Sequence, residues 1–334
     1  FLVSCGGERR QLKTPLPEPP SDAILSLASL APSGHNTQPW NVSVRPDGSW
    51  LVGWDRSRAL PAVDPENREL MLSLGAFCEA ARTAAPAYGL RAEIRASAQT
   101  NFDDTIAVIT FNPADRDDSR IDALTHRRTV RKGLRSGALS TEEKKVLAAS
   151  VKCRFHFFDR GTKEAQLIES AVLESNIVQA DRKDAVDELA RWIRWKDADA
   201  RKFRNGLTPE GMEITGIAGF VVRHFFSADD VKSESFREAT ISSVKDALSS
   251  YGGWILLETD DSRPSTLLET GGDFIRLSLA AYDRRIALHP MTQPLEEKGF
   301  SEGLKKSLGI KGNMQFILRA GHVEKYPDPV TLRM

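Results

Sequence analysis

Hydrophobic periodicity divides the N-terminal third of the chain into helices and strands. Residues 22–31 have helical spacing, and residues 42–54, VSVRPDGSWLVGW, alternate on both sides of a Pro-Asp-Gly turn, which predicts a β-hairpin. Residues 69–90 carry apolar side chains on one broad helical face, which predicts a buried helix. Strands around 91–98 and 105–111 complete this part of the chain.

The pattern resumes near residue 119 with a third helix. Ser140 and Glu143 have the spacing of a capping box and predict the start of another helix. A strand at 154–158 is followed by long polar helices to about residue 204. Three further elements are predicted after these helices: a strand at 254–258, a helix at 271–288 and a strand at 315–321.

The two parts repeat each other weakly. Gly75 and Gly271 occupy the same place in two helical patterns that are 196 positions apart, and Ala81 and Leu277 follow at the same offset. A fixed offset of this kind indicates a degenerate internal duplication.

The duplication and the mixture of helices and strands predict an α+β fold built from two halves. We expect a first half at 22–118 and a second half at 119–334, after an N-terminal tail at 1–21. The Gly-containing stretch at about 191–219 predicts an ordered, lid-like excursion from the second half.

The composition excludes several classes of protein. Lys plus Arg and Asp plus Glu both number 46, so no overall field attracts nucleic acid, and we expect no nucleic-acid partner. Cys78 and Cys153 are far apart, which predicts free buried thiols. The six histidines lack metal-ligand spacing, so no metal site is expected.

The stretch LVSC, residues 2–5, has the order of a bacterial lipobox. With this interpretation Cys5 carries a lipid anchor, residues up to 21 form a linker after the signal peptide, and the protein is periplasmic or membrane-anchored. The alternative is a free cysteine in an ordinary N-terminal segment of a cytoplasmic protein.

The loop LAPSGHNTQPW, residues 30–40, follows the first predicted helix. Pro32 would end that helix, Gly34 permits a tight backbone, and Asn36 and Gln38 supply amide groups for a polar ligand. The alternative is a helix-terminating turn whose amides bind backbone groups, with Trp40 buried in the core.

The second candidate motif, RRTVR at 127–131, stands where the second half begins. Guanidinium groups can fork onto phosphate oxygens, and a threonine hydroxyl adds a further donor. The residues suited to this task are Arg127, Arg128, Thr129 and Arg131. The alternative is a solvated basic helix end, which is the usual meaning of a run of charges.

Together these two motifs resemble the nitroreductase-like FMN-binding superfamily, and most closely its Acg-type branch of long, internally duplicated chains. The family pattern A-P-S-x-x-N-x-Q-P-W is matched at 31–40, and its arginine motif at 127–131. HPMTQPLE at 289–296 resembles the segment that passes the flavin ring, and LRAGH at 318–322 resembles the C-terminal strand. His35 departs from the small residue usual at its position.

The resemblance implies a nitroreductase-like fold in which the two halves imitate a dimer, and it implies bound FMN. It assigns FMN contacts to Pro32, Ser33, Asn36, Gln38, Arg127, Arg128, Thr129, Arg131, Pro290, Met291, Thr292 and Arg333.

The implied activity is an oxidoreductase that takes hydride from NAD(P)H at flavin N5 and reduces a small-molecule acceptor. Because the flavin supplies this chemistry, we nominate no catalytic side chain. The alternative is a non-enzymatic flavin-binding or sequestering protein whose 191–219 excursion covers the flavin. A serine hydrolase using Ser33 is disfavoured because the nucleophile elbow is missing.

The placement of the motifs predicts one FMN in a monomeric chain. The amide loop lies in the first half and the arginines lie in the second, as if the two came from different subunits of a dimer. A complementary site would need the basic stretch at 9–13 and an Asn/Gln loop after residue 150, and no such loop is present.

Overall fold

The computed structural model describes residues 20–329 of the chain. Cys5, the basic stretch at 9–13 and Arg333 lie outside the described residues, so the expectations that rest on them stay predictions. No helix within residues 20–329 is long and apolar enough to cross a membrane.

The first half begins with helix α1 (Pro20–Ala28) and the predicted hairpin of β1 (Trp40–Val44) and β2 (Trp50–Trp54). The strands pair antiparallel, with Trp40 opposite Trp54. At the turn, Asp47 accepts hydrogen bonds from the Ser49 amide and hydroxyl at 2.9 and 2.6 Å. Gly48 has a φ of +80°, which explains why glycine follows the aspartate.

Helix α2 (Arg68–Ala84), β3 (Leu90–Ala96) and β4 (Thr105–Pro113) complete this half. The strands form an antiparallel sheet of order β1-β2-β4-β3. The helix predicted to residue 90 ends at Ala84, because Pro86 starts a 3-10 turn at Ala85–Tyr88.

The second half begins with α3 (Ile121–His126), α4 (Thr141–Ala149) and β5 (Arg154–Asp159). The predicted capping box is present: the Ser140 hydroxyl accepts from the Glu143 amide, and the Glu143 carboxylate accepts from the Ser140 amide.

A large helical insertion follows β5 and contains the predicted excursion at 191–219. It consists of α5 (Lys163–Asp181), α6 (Lys183–Trp192), α7 (Asp197–Phe203), α8 (Gly216–Phe225) and α9 (Glu234–Ser249).

The chain then returns to the sheet. The remaining elements are β6 (Gly253–Thr259), α10 (Pro264–Tyr282), β7 (Ile286–Pro290), α11 (Gln293–Glu296), α12 (Phe300–Leu308) and β8 (Asn313–His322). The strands of the second half form an antiparallel sheet of order β5-β6-β8-β7. Each strand number of the first sheet, increased by four, gives the order of the second sheet. The expectation of an α+β fold with two related halves is therefore confirmed.

The prediction of one helix over 271–288 is wrong at its C-terminal end. Helix α10 stops at Tyr282, Arg285 turns the chain with a φ of +53°, and Ile286 begins β7. A short apolar run has the same pattern in a buried strand as in a buried helix, so periodicity alone could not separate them.

Helices α2 and α10 join the halves through a close crossing. A Cβ atom at Gly75 would lie 2.0 Å from the Leu268 carbonyl oxygen, and one at Gly271 would lie 2.0 Å from that of Leu72. Gly271 and Leu268 of α10 each follow their counterparts in α2, Gly75 and Leu72, by 196 positions. The two contacts are therefore related by a pseudo-twofold symmetry. One apolar core, which includes side chains from both sheets, surrounds this crossing.

Candidate functional site

The loop between α1 and β1 has an unusual backbone. His35, Asn36 and Gln38 have φ values of +46°, +54° and +52°, a region that non-glycine residues rarely adopt. Internal bonds hold this conformation: the Gln38 amide donates to Ser33 Oγ at 2.9 Å, and Arg58 donates to the Gln38 carbonyl at 2.7 Å. Such strain persists where the surrounding structure fixes it, and it is common at binding sites.

The amide side chains of this loop bind another part of the chain. Asn36 Nδ2 donates to the Gly206 carbonyl at 2.9 Å, and Gln38 Nε2 donates to the Arg204 carbonyl at 2.7 Å. The Gly206 amide donates back to the Asn36 carbonyl at 2.9 Å. These bonds match the alternative interpretation of the loop, in which its amides satisfy backbone groups, and they fasten residues 204–206 of the insertion to the first half.

Trp40 anchors the end of the loop. Its ring stacks on Phe77 of α2, with centroids 5.0 Å apart and planes inclined by 23°. The loop is therefore fixed to the core by Trp40 and to the insertion by Asn36 and Gln38.

The arginine motif follows α3 and faces the loop across the boundary between the halves. Both motifs line one cavity of about 100 Å³, and the predicted site residues there are Pro32, Ser33, Asn36, Arg127, Arg128, Thr129 and Arg131. Two sequence motifs separated by some ninety positions thus meet in space, as the duplication implied.

Arg127 is the buried cation of this cavity. Its side chain is almost wholly buried, and among the described residues its Nη1 atom has no hydrogen-bond partner. Burial lowers the pKa of Arg127 to about 10, which still leaves the guanidinium charged at neutral pH. A buried charge without a counter-ion is unfavourable, so this position is suited to an anionic group from a ligand.

Arg131 and Arg128 are engaged by the insertion. Arg131 Nη1 donates to the Gly211 carbonyl at 2.8 Å, and Arg128 lies 3.4 Å from the Glu213 carboxylate. Burial lowers the pKa of both arginines, and the nearby Glu213 opposes this effect.

A second cavity of about 800 Å³ adjoins the first at Arg131. Pro290 and Met291 line it from β7, and Met212 and Ile214 line it from the insertion. Its volume is within the range of small-molecule and cofactor sites. The structure therefore places Pro290 and Met291 beside the arginine motif, in a space that the insertion also lines. Thr292, which was predicted with them, is not among the residues that line this cavity.

Two further basic residues of this cavity were not selected from the sequence. Arg319 is buried on β8 and donates to the Arg131 carbonyl at 2.5 Å, and burial lowers its pKa to about 10. Burial and the neighbouring Arg131 and Arg319 hold the pKa of His289 well below its usual value, so its imidazole is neutral. An arginine within the apolar run QFILRAG was the available signal for Arg319.

Thr292 contacts a partly buried pair of carboxyl groups. Its hydroxyl donates to Glu296 at 2.9 Å, and Gln179 donates to the same carboxyl group at 2.7 Å. Burial raises the pKa of Glu69 and of Glu296. The charge of Glu296 adds to the shift at Glu69, and the charge of Asp64 adds to the shift at Glu296. No sequence pattern links Glu69 and Glu296, because they come from different halves.

The chain is similar in sequence to proteins of Mycobacterium tuberculosis. No family model matches the chain. A Mycobacterium tuberculosis protein named "Putative NAD(P)H nitroreductase" is 25% identical over 323 residues, which cover 92% of this chain and 86% of that protein. The chain is a relative of the Acg-type proteins. A second M. tuberculosis protein, "Putative NAD(P)H nitroreductase acg", is 36% identical over 113 residues, about a third of each chain.

Solved structures give a weaker likeness. A nitroreductase with bound FMN from Desulfitobacterium hafniense is 13% identical, covering 64% of this chain and 93% of its own, with a TM-score of 0.39. An FMN-dependent nitroreductase from Mycobacterium smegmatis, in complex with NADPH, is 12% identical, covering 62% and 92%, with a TM-score of 0.35. The relation to nitroreductases rests on the sequence match, since these scores are below 0.5.

Proposed function

We propose that the chain is an FMN-dependent oxidoreductase of the nitroreductase type, with one FMN site between its halves. The observation that carries the proposal is the meeting of the 32–38 loop and the 127–131 motif at one cavity. Arg127 Nη1, which has no partner among residues 20–329, lies at this cavity. The names of the M. tuberculosis relatives support the same activity.

The residues present fit the phosphate end of FMN. A phosphomonoester carries a charge of about −1.5 to −2 and three acceptor oxygens, which complements buried arginines. Arg127 and Arg131 would hold the phosphate, with Thr129 and Ser33 as hydroxyl donors, and the 800 Å³ cavity beside Pro290 and Met291 would hold the ring.

Bound FMN supplies hydride and electron transfer between NAD(P)H and a small-molecule acceptor. The chain itself would orient the flavin, and Met212 and Ile214 of the insertion add apolar surface to the cavity. The raised pKa values of Glu69 and Glu296 favour the protonated form of this pair beside Thr292.

We propose one FMN per monomeric chain, and the pseudo-symmetry supports this stoichiometry. A dimer of the kind that the resemblance implies would bury between subunits the faces that this chain already buries at the crossing of α2 and α10. A second chain would then not be needed to complete the site.

The deciding experiment is an absorbance spectrum of protein loaded with FMN, followed by anaerobic addition of NADPH. An FMN spectrum that bleaches supports the oxidoreductase. Retention of the oxidised spectrum with both NADH and NADPH would favour a flavin-sequestering protein, and absence of FMN binding would refute the site.

A further inference from the structure

One segment of the insertion lines both cavities. We call residues 204–215 the crossing segment, because they run from the 32–38 loop to the arginine motif. Their first part is fastened by Asn36 and Gln38, and their last part contacts residues 128–132. The anion-binding motif is therefore contacted by the protein's own chain.

The Glu213 carboxylate binds to this motif in the way that a ligand anion would. Its Oε1 accepts from the Arg131 amide at 3.1 Å and lies 3.4 Å from Arg128 Nη2, and its Oε2 accepts from the Lys132 amide at 2.6 Å. Two consecutive backbone N–H groups with an adjacent guanidinium form a typical phosphate-binding arrangement. An acidic side chain occupies that arrangement here.

Glu213 fills the arrangement incompletely. A carboxylate has one charge and two oxygens, against about two charges and three oxygens for a phosphomonoester. Arg127, the first residue of the same motif, lines the small cavity, and its Nη1 atom has no partner among residues 20–329. The motif therefore keeps a buried cationic donor that Glu213 does not satisfy.

The backbone of the crossing segment is strained at the same residue. Glu213 has a φ of +59°, a region in which non-glycine residues are disfavoured, and Arg204 at the other end has a φ of +53°. The contacts of the carboxylate hold this conformation together with two backbone bonds. The Glu213 carbonyl accepts from Lys132 Nζ at 3.0 Å, and the Glu213 amide donates to the Glu210 carbonyl at 3.0 Å.

From these contacts we propose that Glu213 is an internal substitute for the ligand phosphate, which the phosphomonoester of an incoming flavin displaces. Glu213 thereby sets the affinity for FMN and the preference for phosphorylated over unphosphorylated flavin. This inference rests on the proposed flavin function, although its anion-binding element does not require a flavin.

The test compares Glu213→Gln with the wild-type chain for FMN and for riboflavin, which lacks the phosphate. Removal of the competing charge should tighten FMN binding about tenfold, the equivalent of one charged hydrogen bond, and leave riboflavin binding unchanged. The matched control is Glu302→Gln, which removes one exposed carboxylate on α12. Binding is measured by fluorescence titration.

Two results would overturn the inference. Weaker or unchanged FMN binding by Glu213→Gln would show that Glu213 supports the site or has no part in it. An equal change for FMN and riboflavin would show that the substitution acts through the part of the insertion beside the flavin ring, and not through the phosphate.

A third measurement separates this inference from the proposed function. Inorganic phosphate should raise the melting temperature of Glu213→Gln more than that of the wild-type chain. If no flavin binds any variant but phosphate has this effect, the flavin function fails and the anion site stands. If phosphate also has no differential effect, both fail.

Discussion

The two halves share a scaffold but differ in what connects it. In the first half, β1 and β2 are joined by a turn at residues 45–49, whereas in the second half residues 160–252 intervene between β5 and β6. Strand order and the glycine crossing are nevertheless the same in both halves. The comparison shows that the duplicated part builds the core, while the unduplicated insertion encloses the candidate site.

The largest effect is expected at the crossing that makes the halves equivalent. Gly75→Ala and Gly271→Ala each place a Cβ atom 2.0 Å from a carbonyl oxygen, so α2 and α10 must separate. We expect each change to lower the free energy of unfolding by about 3 kcal/mol or more in urea denaturation. Gly303→Ala on α12 is the control, because a Cβ atom there meets nothing within 4 Å. Strong destabilisation by only one of the two substitutions would break the pseudo-symmetry.

The second effect concerns the arginine motif at the start of the second half. The double change Arg127→Ala and Arg131→Ala removes two charged donors and should weaken FMN binding on the order of a hundredfold, with the circular dichroism spectrum retained. Arg135→Ala, which breaks an exposed ion pair with Glu324, serves as the control. Equal FMN retention by the double variant and the control would remove the phosphate site from this motif.

A smaller effect is expected at the hydrogen bonds that join the 32–38 loop of the first half to the insertion. Asn36→Ala removes the bond to the Gly206 carbonyl and replaces a residue that tolerates a positive φ. We expect FMN binding to weaken about tenfold and tryptic cleavage after Arg204 to accelerate. Asn41→Ala, on the exposed face of β1, should change neither, and unchanged proteolysis of Asn36→Ala would show that this bond does not secure the crossing segment.

The smallest effect is a pH dependence of the free energy of unfolding. It arises from the carboxyl pair of Glu69 and Glu296, which belong to different halves. The folded pKa values of Glu69 and Glu296 are raised, so the folded state binds more protons than the unfolded state above about pH 4.5. The free energy of unfolding therefore falls as the pH rises through the raised pKa values. The neighbouring groups are Arg68, Asp64, Thr292 and Gln179, and burial raises the pKa of Asp64 to about 6, which acts in the same direction.

Glu69→Gln should accordingly flatten the fall in the free energy of unfolding between about pH 5 and 8, by about 1 kcal/mol. Urea denaturation at several pH values measures this slope. An unaltered slope would mean that the pair does not share a proton across the boundary between the halves.

Much of the scaffold could be predicted from local pattern. The hairpin about Asp47 and Gly48, the capping box of Ser140 and Glu143, and the duplication marked by Gly75 and Gly271 are confirmed. These features depend on neighbouring residues or on a repeated spacing, which a sequence displays directly. The end of α10 was wrong because a buried strand and a buried helix are alike in a short apolar run.

The sequence by itself determined the two halves and the residue types that could bind an anion, because periodicity and motif spacing are properties of the chain. Only the tertiary structure decided what those residues contact. It directed the Asn36 and Gln38 amides to the crossing segment, left Arg127 Nη1 without a described partner, and placed Glu213 against the Arg131 and Lys132 amides. Each of these contacts joins residues at least 80 positions apart, and contacts at such separation depend on how the insertion packs across the two halves, which no local pattern records.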